Sequence, residues 1–501
     1  MFNIIGIDLG TTHSVVALAG DDEPIVIPTA EGERTCPSIV GFDHSGHCLV
    51  GRPAQQQAAG NPDSTVCAVK RLVGRRIDDP AVRQLAPTLP YEIVSGPHKA
   101  VNIYIPTIRS TVTPVEILGH LLLKLLHDAE LYLGRSVSSA VIVVPASYND
   151  AQRQALVEAG QRVGLEIMGL IAEPVAAALA CSMLYPYNQT MMIIDGGGGI
   201  TDASIVTYRD GIVKSRASHG DPLLGGDDWD TRLVNWLVYQ FEQETGLHLK
   251  RDLQAWQRLR QAAEQCKVEL STAATTQLHL PYIAADASGP KHLALTITRD
   301  LFERETEDLA ARWGTVIETT LHEAQLPVGA LDKVVLTGGM AQMPALQERV
   351  AAYTHCRPEI AFPAGEAAAI GAAIQARAVA TNMVRNASEF MKKMFESGPR
   401  AGPPISPDRP HDLPSPQPYR ATVQITLTEA FSGTTRHLPQ PDDPAIAITI
   451  PPGVRDDARL KLPAPGSSAG PEPAGSDDYV RIAIKPDARF ERSEDDLRLT
   501  V

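Results

Sequence analysis

The chain has 501 residues, of which 44% are apolar and 21% charged, and a formal net charge of −14 at pH 7. That length calls for more than one folding core, and the composition is that of a globular protein with no run of about eighteen apolar residues able to span a bilayer. The acidic balance disfavours nonspecific nucleic-acid binding, which relies on clustered Lys and Arg, so neither a nucleic acid nor a membrane is expected as a partner.

The N-terminal stretch Met1-Phe2-Asn3-Ile4-Ile5 has no basic region followed by an apolar run and a cleavage site, which argues against secretion. It reads as the start of a strand. Six cysteines at 36, 48, 67, 181, 266 and 356 form no Cys-x-x-Cys pair and no Cys/His group at zinc spacing, so reduced thiols in a cytoplasmic protein are expected.

From the N-terminus to about residue 380, short apolar strands alternate with helical stretches, and glycine-rich turns fall at strand ends, an α/β pattern. The first such turn is Ile4-Ile5-Gly6-Ile7-Asp8-Leu9-Gly10-Thr11-Thr12. The second is Met192-Ile193-Ile194-Asp195-Gly196-Gly197-Gly198-Gly199-Ile200-Thr201-Asp202. In each, an Asp at the strand end precedes Gly and Thr. Glycines let backbone N–H groups approach phosphate oxygens, hydroxyls add donors, and a carboxylate can hold hydrated Mg²⁺. Either turn alone is as compatible with a structural hairpin; the pair favours a phosphate site. A third element, Val334-Val335-Leu336-Thr337-Gly338-Gly339-Met340, leads into a helix over 344–352 and offers two glycines where a backbone can lie against a nucleotide.

Residues 382–397 are helix-compatible, with Met383, Phe390, Met391 and Phe395 as apolar members. Prolines at 399, 403, 404, 407, 410, 414, 416 and 418 then predict a stiff, extended tether. Beyond it, Val423, Ile425 and Leu427 alternate with polar residues, as do Ile446, Ile448, Ile450 and Val480, Ile482, Ile484, the period-two signature of half-buried strands. The expected organisation is an α/β unit over 1–380, a helical segment and linker over 381–418, and an all-β unit over 419–501.

The three glycine turns, in this order, resemble the two phosphate loops and the adenosine loop of the actin-like ATPases. Further stretches narrow the resemblance to the DnaK-type heat-shock chaperones. They are Lys70-Arg71-Leu72-Val73-Gly74-Arg75-Arg76, Val144-Pro145-Ala146-Ser147-Tyr148-Asn149-Asp150, Ala172-Glu173-Pro174-Val175-Ala176, Leu224-Gly225-Gly226-Asp227-Asp228-Trp229-Asp230 and Leu280-Pro281-Tyr282-Ile283. The resemblance implies a two-lobed actin-like ATPase domain that binds ATP or ADP with Mg²⁺. By position it implies Asp8 and Asp195 at the metal through water, and Lys70, Glu173, Asp195 and Asp202 as the catalytic set, with Lys70 neutralising charge on the γ-phosphoryl oxygens. It places Gly10, Thr11, Thr12, Gly197, Gly198, Gly199, Gly226, Asp227, Gly338 and Gly339 around the nucleotide. Glu264, Lys267 and Ser271, at i, i+3 and i+7 of one helix, match residues that grip ribose and adenine. Pro145 and Arg153 match a hinge pair that relays nucleotide state.

Some positions depart from the family. Ile200 holds the threonine slot of the second phosphate loop and Thr201 follows it, so a hydroxyl beside the γ-phosphate is missing or displaced. Met340 replaces a serine near the base, Gln342 an arginine that stacks on it, and Ala364-Gly365 an aspartate. The family's apolar linker, peptide-clamping β-sandwich and helical lid are not visible after Ala380.

The tail resembles the first C-terminal β-domain of DnaJ-type co-chaperones, on Val423-Gln424-Ile425-Thr426-Leu427-Thr428-Glu429-Ala430-Phe431-Ser432-Gly433, Ile450-Pro451-Pro452-Gly453-Val454 and Ile484-Lys485-Pro486-Asp487-Ala488-Arg489-Phe490. That resemblance implies capture of apolar client segments along a strand edge, with Arg436, Leu438 and Phe490 in the groove. The alternative for Leu438 and Phe490 is a place in the core. Expected partners are unfolded or apolar client peptides, together with DnaK/DnaJ-type chaperones or a nucleotide-exchange factor. Two functions follow: a chaperone-like, slow ATPase carrying a peptide-binding module, or a non-hydrolysing nucleotide sensor or scaffold that docks onto DnaK/DnaJ machinery. A sugar or acetate kinase is disfavoured, because the DnaK-specific stretches have no purpose there.

Overall fold

The apolar run Ile4–Asp8 lies inside a mixed sheet. It pairs in parallel with Ser139–Val144, which pairs in parallel with Glu166–Ala172, and antiparallel with His13–Ala19, which continues to Pro24–Ile27 and, off that path, to Cys36–Pro37. Ser139–Val144 is buried along its whole length, as a central parallel strand covered on both faces must be. A second sheet runs Ile212–Asp221, Thr201–Arg209, Gln189–Gly196 and Lys333–Thr337, with only the last pair parallel.

This computed structural model describes residues 4–396 apart from 21–22 and 250–251, and, beyond them, the strands of the segment 421–499 with a few adjoining residues. The chain divides into two units, Met1–Gly398 and Pro399–Val501.

In the first unit each sheet has its own core. One is built on Ile5, Ile7, Leu72, Ile103, Leu121 and Ile142. The other is built on Met192, Ile194, Trp229, Phe241, Trp313 and Leu336. The result is two lobes, an α/β architecture in agreement with the expected fold class. Helices Glu173–Leu184 and Glu366–Glu396 cross between them, and small residues make the crossing close. A Cβ on Gly371 would stand 1.8 Å from the Ala176 carbonyl oxygen, and one on Gly6 2.2 Å from the Ala373 nitrogen. The alanine-rich run beginning at Glu366 is therefore a packing requirement, since any larger side chain would push the helix off the sheet. The same helix continues without a break through 382–396, where the sequence is helix-compatible.

Local signals set several helix ends. Thr113 and Glu116 form a reciprocal cap on Pro114–Leu133, and Asn149 with Gln152 does the same for Asp150–Arg162. Asp252 caps Leu253–Leu270 through the Gln254 and Ala255 amides. All six cysteines are free thiols. No helix among the described residues is long and apolar enough to cross a membrane.

In the second unit, Ala421–Ile425 pairs in parallel with Tyr479–Ile484, which pairs antiparallel with Arg459–Lys461. Thr434–Leu438 pairs with Ile446–Ile450, and Phe490–Ser493 with Asp496–Leu499. Val423, Ile425, Ile448, Ile450, Val480 and Ile482 are buried, in agreement with the period-two reading. Leu427 and the proline-rich stretch lie outside the described residues.

Candidate functional site

Both glycine turns emerge from the ends of interior strands into one cleft and stand against each other. Gly10 permits the first turn, because a Cβ there would lie 1.9 Å from the His13 carbonyl oxygen. A Cβ on Gly198 would stand 1.8 Å from Thr12 Oγ1, and one on Gly199 2.7 Å from Thr11 Cγ2 and 2.9 Å from Arg71 Cδ. No side chain fits between the loops, so what they present to a ligand is backbone and the Thr11 and Thr12 hydroxyls. Thr12 Oγ1 is buried with no protein hydrogen-bond partner. The second loop is held from behind: the Gly226 amide donates to the Gly197 carbonyl at 3.0 Å and the Asp227 amide to the Gly198 carbonyl at 2.7 Å. Those amides at the start of helix Gly226–Thr245 are thus spent on the loop, and the Asp227 carboxylate is 3.3 Å from Arg260.

Carboxylates converge from both lobes at the base of the cleft. Asp8 ends the first strand, Asp195 and Asp202 face each other across the second hairpin, and Glu173 opens the crossing helix. Lys70 is the cation among them, buried, with Nζ 3.9 Å from Asp8 Oδ1. Burial pushes the Asp8 carboxyl up to about 7, with Lys70 opposing the rise and Glu173 adding to it. Asp202 also rises to about 7, through burial and Glu173 against Lys70 and an amide hydrogen bond from Ala146. Asp195 is raised well above the usual carboxylate range by burial, by the charge of Glu173 and by a hydrogen bond shared with it, while Thr337 opposes through a 2.8 Å hydroxyl bond. A site that crowds carboxylates so closely is prepared for a cation. The donor set fits Mg²⁺, a hard ion that keeps its waters: Asp8 Oδ1 and Asp202 Oδ1 are buried without a hydrogen-bond partner. Among the described residues no three acids, histidines or cysteines are grouped so as to hold a metal ion directly.

Lys70 sits in the 3₁₀ turn Val69–Arg71, entered through Ala68 at a left-handed φ of 53°. Its carbonyl accepts a 2.8 Å hydrogen bond from the Tyr148 hydroxyl. Arg153 Nε donates to the Tyr148 carbonyl at 3.0 Å, and the Tyr148 amide donates to the Pro145 carbonyl at 3.2 Å. Pro145 and Arg153 therefore meet through Tyr148, a residue whose place no local signal marks.

Glu264 and Lys267 lie on helix Leu253–Leu270, and Ser271 is its C-cap. Lys267 Nζ is 2.7 Å from Asp230 Oδ2 and donates to the Gly226 carbonyl at 3.1 Å, while Ser271 bonds back to the Lys267 carbonyl. Asp230 is the partner that sequence reasoning missed. Burial carries its carboxyl up to about 7, against the pull of Lys267. Gly338, at φ 79°, passes so close to Gly196 that a Cβ would lie 2.3 Å from the Gly196 oxygen, whereas Gly339 is open. Met340 is buried in the second core and Gln342 is exposed. Beside Gly365, Glu366 is held by Arg34 through two bonds of 2.6 and 2.8 Å.

The Thr201 hydroxyl is buried, donating to the Leu224 carbonyl and accepting from the Trp313 indole, both at 2.7 Å. Both partners belong to the second core. Ile200 packs against the core of the first lobe.

In the C-terminal unit Arg436 is exposed and bonded to Glu429 at 2.5 Å. Leu438 shares its strand and Phe490 starts a separate hairpin; their side chains lie outside the described residues.

A family model for the Hsp70 protein matches residues 4–390, and one for the DnaJ C terminal domain matches 419–501. The first implies nucleotide binding with Mg²⁺ in general, and the pair implies polypeptide clients and chaperone partners in general. With the first match spanning most of the sequence and carrying both glycine turns and the acidic cluster, this chain belongs to the Hsp70 family.

Proposed function

We propose that the chain is a chaperone-like protein that binds ATP and ADP with Mg²⁺ in the cleft, hydrolyses ATP slowly, and carries a DnaJ-like module for apolar client peptides. The carrying observation is the meeting of Asp8 and Asp202 with Lys70, and of Glu173 with these acids and Asp195, beneath two loops that expose backbone rather than side chains. Gly10, Thr11, Thr12, Gly197, Gly198 and Gly199 cradle the phosphates. Glu264, Lys267, Ser271, Gly338 and Gly339 border the nucleoside, with Lys267 held in place by Asp230. Bound Mg²⁺ supplies charge neutralisation on the phosphate oxygens. The Lys70 ammonium stabilises negative charge that grows on the transferred phosphoryl group and orients the attacking water, while the carboxylates hold the water shell and keep it from drifting.

The domain assignment is 1–380 for nucleotide, 381–418 as connector and 419–501 for peptide, with Arg436, Leu438 and Phe490 in the groove. Six free thiols support a reducing compartment such as the cytoplasm. A second reading, a nucleotide sensor without hydrolysis, is favoured by one observation: the Thr201 hydroxyl is turned into the core and Ile200 stands in its place. Calorimetry with Mg·ADP and a single-turnover measurement of phosphate release test both. Binding with slow release of phosphate is expected; binding with none selects the sensor, and no binding overturns the assignment.

A further inference from the structure

Ile200 belongs by chain to the second lobe, between strands Gln189–Gly196 and Thr201–Arg209, yet its side chain packs against the core of the first. Its neighbour cannot follow the first lobe. Thr201 is tied to Trp313 and Leu224, both within the second core, by two buried hydrogen bonds of 2.7 Å. If the lobes separate, the backbone at 200–201 stays with the second lobe and Ile200 must leave its apolar seat. The polar ties across the cleft behave otherwise. Arg71 with Asp228 at 3.6 Å, and Arg260 with the Cys67 sulfur at 3.8 Å, are polar groups that water can hydrogen-bond in exchange once the cleft opens. An isoleucine has no such substitute, since its transfer to water is unfavourable in proportion to the area exposed.

We propose that Ile200 is an apolar clasp between the two lobes that sets the dwell time of nucleotide in the cleft. The inference rests on the reading of the cleft as a nucleotide site. It assigns to Ile200 a positive role in place of the lost hydroxyl: a phosphate-loop residue that resists opening. Because the side chain is half-buried, removing it relaxes the opening equilibrium by about tenfold. Opening admits nucleotide as well as releasing it, so association and dissociation should both quicken and Kd should move less than either.

The test is the release of a fluorescent N-methylanthraniloyl-ADP from the full-length chain with Mg²⁺, chased by excess ADP. Ile200→Ala is expected to release about tenfold faster and Ile200→Val about two- to threefold faster, in order of the apolar area removed. Ile200→Thr discriminates between mechanisms. A clasp predicts faster release from it; a residue acting only through phosphate contact predicts slower release, because a donor has been added. Unchanged or slower release from Ile200→Ala, with its thermal midpoint near that of the parent, overturns the clasp. Should Ile200→Ala fail to fold, Ile200→Val carries the same comparison, and parity with the parent overturns it equally. Binding by the parent with no change in any variant refutes the clasp alone, whereas no binding by the parent refutes the nucleotide reading and the clasp with it.

Discussion

Replacing Lys70 by Ala removes the cation that faces Asp8 at 3.9 Å in a buried site. At an effective dielectric of about 20, a unit charge at that separation is worth about 4 kcal/mol. A γ-phosphoryl group in transit spreads comparable charge at a comparable distance, so most of that energy is lost from the transition state. The expected fall in single-turnover rate is about 10²- to 10³-fold. The ground state responds differently. Asp8, Asp195 and Asp202 are already raised by burial and by the charge of Glu173, and without the lysine they attract Mg²⁺ more strongly, not less. Mg·ADP affinity by calorimetry should therefore stay within about threefold of the parent. A parallel loss of affinity and rate would make Lys70 a structural residue, and an unchanged rate would remove it from the reaction.

Four further outcomes are expected. Thr201→Val leaves the Trp313 indole N–H and the Leu224 carbonyl unpaired in the core, costing about 2–4 kcal/mol, and a lowered thermal midpoint with unaltered ADP affinity checks it; Thr201→Ser should recover the loss. Asp8 and Asp202 rise from 3.8 to about 7 on folding, so the nucleotide-free protein holds protons that the unfolded chain has released, and its stability should fall from about pH 4 to about pH 7 and level off above. Because the ionised carboxylates hold the ion, stabilisation by Mg·ADP should grow from pH 5.5 to 8 in thermal melts; a flat difference would contradict the placement of these acids. Residues 419–501 expressed alone should bind an unfolded apolar peptide about as tightly as the whole chain with or without ATP, since the sequence, with eight prolines at 399–418, predicts a spacer rather than a two-state coupling element. A large ATP-dependent change in peptide affinity, present only in the full chain, would refute this.

The glycine turns, the Asp at each strand end and the period-two tail were legible because each is a property of a few contiguous residues. Gly10 and Gly198 announce a close backbone approach wherever they sit, and Val480, Ile482 and Ile484 alternate whatever they pair with. The motif stretches around Lys70 and Glu173 carried the family in the same way. What the chain could not declare locally was which polar group would be desolvated and by whom. Thr201 reads as a hydroxyl one place late in a phosphate loop; only a tryptophan 112 residues away decides that it serves the core. Asp230 reads as one acid among several until Lys267 arrives from another helix, and Tyr148 reaches Lys70 across 78 residues. Met340 and Ile200 are apolar in the sequence, but their burial against opposite cores is a property of the assembled lobes. Backbone geometry is encoded by near neighbours, whereas burial, the term that raises Asp8 and Asp202 and turns a substituted loop residue into a contact between lobes, is created when distant segments exclude water together.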